Sequence, residues 1–140
     1  MSCILRVSGK DLAVDDLTGA TPLKPYRLDR AGEPKRRPGQ VFSKSCAHFD
    51  VSKAGFAEFD KQIEDAIRFL ESRRSELRSV MDFAGVEGAT LDFGIAWLDV
   101  AAQFDHLPPS LLLLAGQLGI GITISHYPLS GPEAADAGGT

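Results

Sequence analysis

The chain has 140 residues, 44% of them hydrophobic and 24% charged, which is the composition of one ordinary globular domain with enough apolar material for a core of its own. A formal net charge of −4 argues against a polyanion partner, so nucleic acid is disfavoured. No apolar run approaches the ~20 residues of a membrane span, and residues 1 to 15 interrupt their apolar positions with Ser2, Arg6, Ser8, Lys10 and Asp11. Neither a membrane segment nor a signal peptide is expected, and a cytoplasmic address follows by elimination.

Cys3-Ile4-Leu5-Arg6-Val7-Ser8 is rich in apolar and β-branched residues and stops at Gly9, which predicts a first strand in the centre of its sheet. Asp11 to Thr18, with acids at its start and Gly19 behind it, predicts a short helix. Tyr26 to Arg30 alternates as a second strand. From Ala31 to Ser45, glycine, proline and charge without periodicity predict a mobile loop. Its cluster Lys35-Arg36-Arg37 reads as a solvated tip, with contact to a phosphate or an acidic partner as the functional alternative.

Ser45 to Val51 alternates again, placing Ala47, Phe49 and Val51 on one face and Cys46, His48 and Asp50 on a half-exposed other. Cys, His and Asp are the groups of thiol catalysis and of metal binding. Three collinear side chains on one strand do not make a triad, however, and a metal would need a further ligand such as His106 or His126. No catalytic, cofactor or metal site is therefore assigned. Cys3 and Cys46, both near strand starts, are close enough in the predicted layout to touch, and both are expected as reduced thiols.

The strongest pattern runs from Ser52 to about Phe83. Phe56, Phe59, Ile63, Ala66, Ile67, Leu70, Leu77, Val80 and Met81 recur at helical spacing among charged residues, and Gly85 ends the run. An unbroken helix would be roughly 45 Å long. The register fails at Ser72-Arg73-Arg74-Ser75, where a kink or two helices is expected. The charged positions Lys61, Glu64, Asp65, Arg68, Glu71, Arg74 and Arg78 mix both signs, as a solvated face does.

Thr90 to Trp97 predicts a strand with Leu91, Phe93, Ile95 and Trp97 inward, and with Gly94 marking a bulge or a close backbone approach. Val100 to Phe104 reads as its hairpin return. Pro109 and Ser110 open a nearly all-apolar helix, Leu111 to Leu118, closed by Gly119, whose leucines imply burial on several sides or self-association. Ile120 to Tyr127 is the last strand, stopped by Pro128. Residues 130 to 140 hold Gly, Ala, Pro and acid and read as a disordered tail. Residues 4 to 30 and 101 to 127 share a layout of strand, short helix and strand, a weak pseudo-repeat. The sum is one α+β domain over residues 1–128: a two-layer sandwich of about five to six antiparallel or mixed strands, packed by one long helix and two short ones in the manner of split βαβ units.

Ile4-Leu5-Arg6-Val7-Ser8-Gly9, the loop Gly32-Glu33-Pro34, and Phe104 through Leu107-Pro108-Pro109-Ser110-Leu111-Leu112 to Leu118-Gly119-Ile120-Gly121-Ile122 with Tyr127-Pro128 resemble a family of small bacterial α+β domains of unknown function. The resemblance covers most of residues 3 to 128 and carries no catalytic residues. It implies a bacterial cytosolic protein, some of whose relatives are suspected immunity partners of toxins. The leading expectation is a non-enzymatic module that binds another protein through an acidic or mixed surface. The alternative is a small-molecule-binding domain or hydrolase with a cleft between sheet and long helix, Cys46, His48, Asp50, Asp105 and His106 at its mouth. A third is a homodimer built on Leu111 to Leu118 or on a sheet edge.

Overall fold

Five strands form one mixed sheet in the order β2-β3-β1-β4-β5, and Cys3–Gly9, β1, is its central strand, as the sequence predicts. The computed structural model describes residues 2–128. The expected tail at 130 to 140 lies outside them. Arg27–Asp29 is β2, Ser45–Ser52 β3, Gly88–Trp97 β4 and Ile120–Pro128 β5. All neighbours run antiparallel except β4 and β5, which are parallel and joined through Pro109–Leu118, α4. Parallel pairing needs such a crossover. The other helices are α1 (Val14–Ala20), α2 (Phe59–Ser72) and α3 (Arg74–Met81). No helix among the described residues is long and apolar enough to cross a membrane.

Alternation sorts the sheet into two faces. Leu5 sits between Phe49 and Leu91 in register, Val7 between Ala47 and Ala89, and all six belong to the core with Cys3 and Phe93. Ile63, Ala66 and Leu70 of α2, Leu77 and Val80 of α3, Leu111, Leu114 and Leu118 of α4, and Leu17 of α1 complete this layer. Phe59 meets Phe93 edge-on at 5.6 Å. Arg6, His48, Thr90 and Asp92 occupy the intervening positions and so face the opposite side.

The long helical pattern breaks where its register fails, at Arg73, whose φ of −112° and ψ of 20° end α2 one residue before α3 begins. It also starts later than the sequence reading has it. Ser52 belongs to β3, and its hydroxyl donates to Asp65 on α2 at 2.7 Å. The segment between is held by buried Gln62, whose amide donates to the carbonyls of Gly55 and Gly94. Gly94 is the close approach expected of it: an added Cβ would stand 3.1 Å from the Ser2 carbonyl oxygen and from the Phe56 ring. Gly85 has φ +91° and packs against the backbone of Asp11 and Leu12, so the stop after α3 also docks the α1 connection.

Two expectations are corrected. Val100 to Phe104 is not a return strand. The Gln103 side chain folds back to donate to the Ala96 carbonyl at 3.0 Å and accept from Leu98 N–H at 2.9 Å, and β5 takes the edge that a hairpin strand would fill. The second half of the pseudo-repeat therefore lacks its first strand. Gly19 lies inside α1, which runs on to Ala20. The loop after β2 is closed on itself, with Pro34 bridged to Val41 and backbone hydrogen bonds between Gly32 and Phe42 and between Lys35 and Gln40. In α4, Leu111, Leu114, Ala115 and Leu118 are buried as one stripe, while Leu112 and Leu113 face out.

Candidate functional site

Of the eight residues singled out from sequence, Cys46 and His48 come together, and they do so on the sheet face away from α2. The β2–β3 register sets Arg27 opposite His48 and Asp29 opposite Cys46. Asp29 is thus the diagonal neighbour of His48, and its Oδ2 lies 2.8 Å from His48 Nε2. The Arg27 guanidinium holds the same carboxylate at 2.9 and 3.3 Å. The Tyr26 ring leans on the imidazole at 6.0 Å. His48 is 5% exposed, so the face read as half-exposed is closed at this point.

Burial, more than any neighbour, holds the His48 imidazole below its usual range despite the pull of Asp29 the other way. For Asp29, burial works against the charge, but the hydrogen bonds from His48 and Arg27 outweigh it and keep the carboxyl below the ordinary carboxylate range. At neutral pH this describes a neutral imidazole donating its Nε2 proton to an ionised Asp29. Burial first and Asp29 second push the Cys46 thiol up to about 11. A protonated thiol beside a histidine already committed to a carboxylate is poorly equipped as a nucleophile.

Asp50, two residues along β3, contributes nothing to this group, and its nearest cation is Lys53 Nζ at 4.0 Å. Asp105 and His106 lie in the connection from β4 to α4, beside the opposite edge of the sheet, where Asp105 Oδ2 is 3.6 Å from His126 Nε2. The five residues expected around one cleft between sheet and helix are therefore divided between two places. Cys3 and Cys46 are both free, on opposite faces and at opposite ends of the β1–β3 ladder, so the contact between them is not made. Lys35, Arg36 and Arg37 are exposed and join Arg27, Gln40 and Phe42 around a cavity of about 670 Å³ that opens on Asp29.

A second polar knot spans the middle of the open face. Asp92 on β4 accepts from Arg6 of β1 at 2.5 Å and from Ser125 of β5 at 2.7 Å. Tyr26, Phe56 and Tyr127 surround it with a cavity of about 170 Å³.

The connection after β4 carries the largest departure from ordinary surface chemistry. Phe104 is 91% exposed, Trp97 61% and Val100 56%. Leu98, Val100 and Phe104 line one side of a groove of about 330 Å³ whose other side is Phe56, Ala57, Phe59 and Ile95. Asp105 lines the same groove, and Asp99 and Asp60 flank its apolar residues in the chain. Sequence reasoning missed this surface because it paired Val100 to Phe104 into the sheet. The signal available was Gln103, a strong backbone mimic placed after a strand end.

No family model, curated protein or solved structure matches the chain. The functional reading therefore rests on these side chains alone.

Proposed function

We propose that the chain is a cytoplasmic, non-enzymatic protein-interaction module that docks a partner through the groove between the start of α2 and the connection after β4. The observation that carries this reading is the exposed cluster of Leu98, Val100 and Phe104, ordered around an apolar floor instead of being folded into it. Contiguous apolar surface with a polar rim is what partner sites present, and aromatic side chains supply most of the binding energy at such sites. Asp105 in the groove lining, Asp60 and Asp99 next to lining residues in the chain, and a net charge of −4 overall suit a partner whose contact surface is apolar and basic. An immunity-type role, in which a small acidic protein covers such a surface on a toxin, fits the same chemistry.

The test is to immobilise the chain, retain proteins from its host lysate, and repeat with Phe104→Asp and with Leu98→Asp. Both positions are surface positions outside the core, so the thermal midpoint should stay within a few degrees of the parent. The reading expects one stoichiometric protein, lost by at least tenfold in both variants. Retention of nothing by the parent chain, or of the same protein by both variants, overturns it.

A further inference from the structure

Asp29, Cys46 and His48 bring a carboxylate oxygen, a thiol sulfur and an imidazole nitrogen within 4.8 Å of one another. We infer that these three side chains form a binding site for a transition-metal dication of the zinc type, on the sheet face opposite the helices and independent of the apolar groove.

The donor set points to that class of ion. Zinc takes oxygen, nitrogen and sulfur ligands at about 2.0–2.3 Å in tetrahedral array, which places neighbouring donors roughly 3–4 Å apart. Asp29 Oδ2 and His48 Nε2 stand 2.8 Å apart, and all three donors lie within 4.8 Å of one another. One sulfur and one imidazole among three donors discriminate against magnesium and calcium, which ask for oxygen throughout. The ligands also stand on paired strands. The antiparallel register sets Asp29 beside Cys46 and diagonal to His48, so the backbone delivers all three to one spot without a loop having to order.

The surroundings fit a cation despite the arginines nearby. The Arg6 guanidinium is committed to Asp92 at 2.5 Å. Arg27 holds the Asp29 carboxylate at 2.9 Å, the place of an outer partner that orients a ligand. Binding replaces the sulfur–hydrogen bond of Cys46 by a sulfur–metal bond and sends the thiol proton to solvent, while the imidazole proton shifts from Nε2 to Nδ1 and the His48–Asp29 hydrogen bond gives way to two metal–ligand bonds, so two charges on the ion meet an ionised carboxylate and a thiolate. Three protein ligands leave one position for water or an external donor.

The experiment is a cobalt(II) titration of the full, reduced chain, read by the thiolate-to-cobalt charge-transfer absorption and by its displacement with zinc. The proposal expects one equivalent to saturate the band, Cys46→Ser to abolish it, Asp29→Asn and His48→Gln to weaken binding by at least about tenfold, and Asp50→Asn to leave it unchanged. To keep the test independent of how Cys46→Ser folds, alkylation of the parent protein with a maleimide is followed in parallel by peptide mapping. One equivalent of zinc should slow modification of Cys46 more than tenfold. A parent chain with no sulfur-to-cobalt band, a band that survives Cys46→Ser in folded protein, or an alkylation rate at Cys46 indifferent to zinc would each overturn the site.

Discussion

Leu5 and Arg6 are adjacent in the chain and live in different media. Leu5 is fully buried between Phe49 and Leu91 under the helices, whereas Arg6, one residue on, reaches across the open face to Asp92. The same division runs through β3, where Phe49 is core and His48 belongs to the network with Asp29, and through β4, where Phe93 is core and Asp92 is tied to Arg6 and Ser125. On one face the strands are held by area removed from water, and on the other by a few charge-assisted hydrogen bonds. The covered face is generic and sets the fold. The open face is specific, and it holds the donors of the proposed metal site.

The comparison is broken most sharply at Asp92 and Phe93, neighbours of opposite facing. Phe93→Ala removes a fully buried ring from contact with Phe59 and should cost about 3–5 kcal/mol in denaturant unfolding. Asp92→Asn keeps the shape and the Ser125 contact and weakens the pairing with a partly exposed Arg6, so about 1 kcal/mol is expected. Equal costs at the two positions would show that the open face is packed as tightly as the core.

A smaller effect separates the faces by pH. The His48 imidazole sits below its usual range, so below about pH 6.5 the unfolded chain binds a proton that the folded chain refuses. The stability His48 contributes is thus present above that pH and is lost as pH falls through its folded value. Asp29, held low, adds a loss of the same sign below about pH 4. The thermal midpoint, measured with a chelator present, should drop from pH 7 to pH 5, and His48→Gln should flatten part of that drop, by at most about 1.4 kcal/mol per pH unit. A His48→Gln profile parallel to the parent's would remove His48 from the account.

Much of the covered face was legible in the sequence. The alternation of Cys3 to Gly9 and of Ser45 to Val51, the helical spacing from Phe59 to Met81 and the skipped turn at Ser72 to Ser75 all report burial directly, because burial is what imposes those periods. The open face was not legible to the same degree. Alternation set Cys46 and His48 on one side of β3, yet their partner is Asp29, and nothing in residues 27 to 29 announces the strand they pair with or the register. The groove failed for a related reason. Val100 and Phe104 have the composition of a strand, but the Gln103 side chain takes the carbonyl of Ala96 and the N–H of Leu98, and β5 fills the edge of β4 where they would pair. Parallel pairing of β4 with β5 depends on the α4 crossover, which a local reading places beside a hairpin instead.

In the proposed function the apolar groove, and not the polar face, meets the partner. Amide hydrogen exchange on the chain alone and with its retained partner tests it most directly. The account predicts new protection confined to residues 55–60 and 96–105, with residues 27–50 unchanged. Protection of 27–50 alone, with the groove exchanging as fast as before, would contradict it.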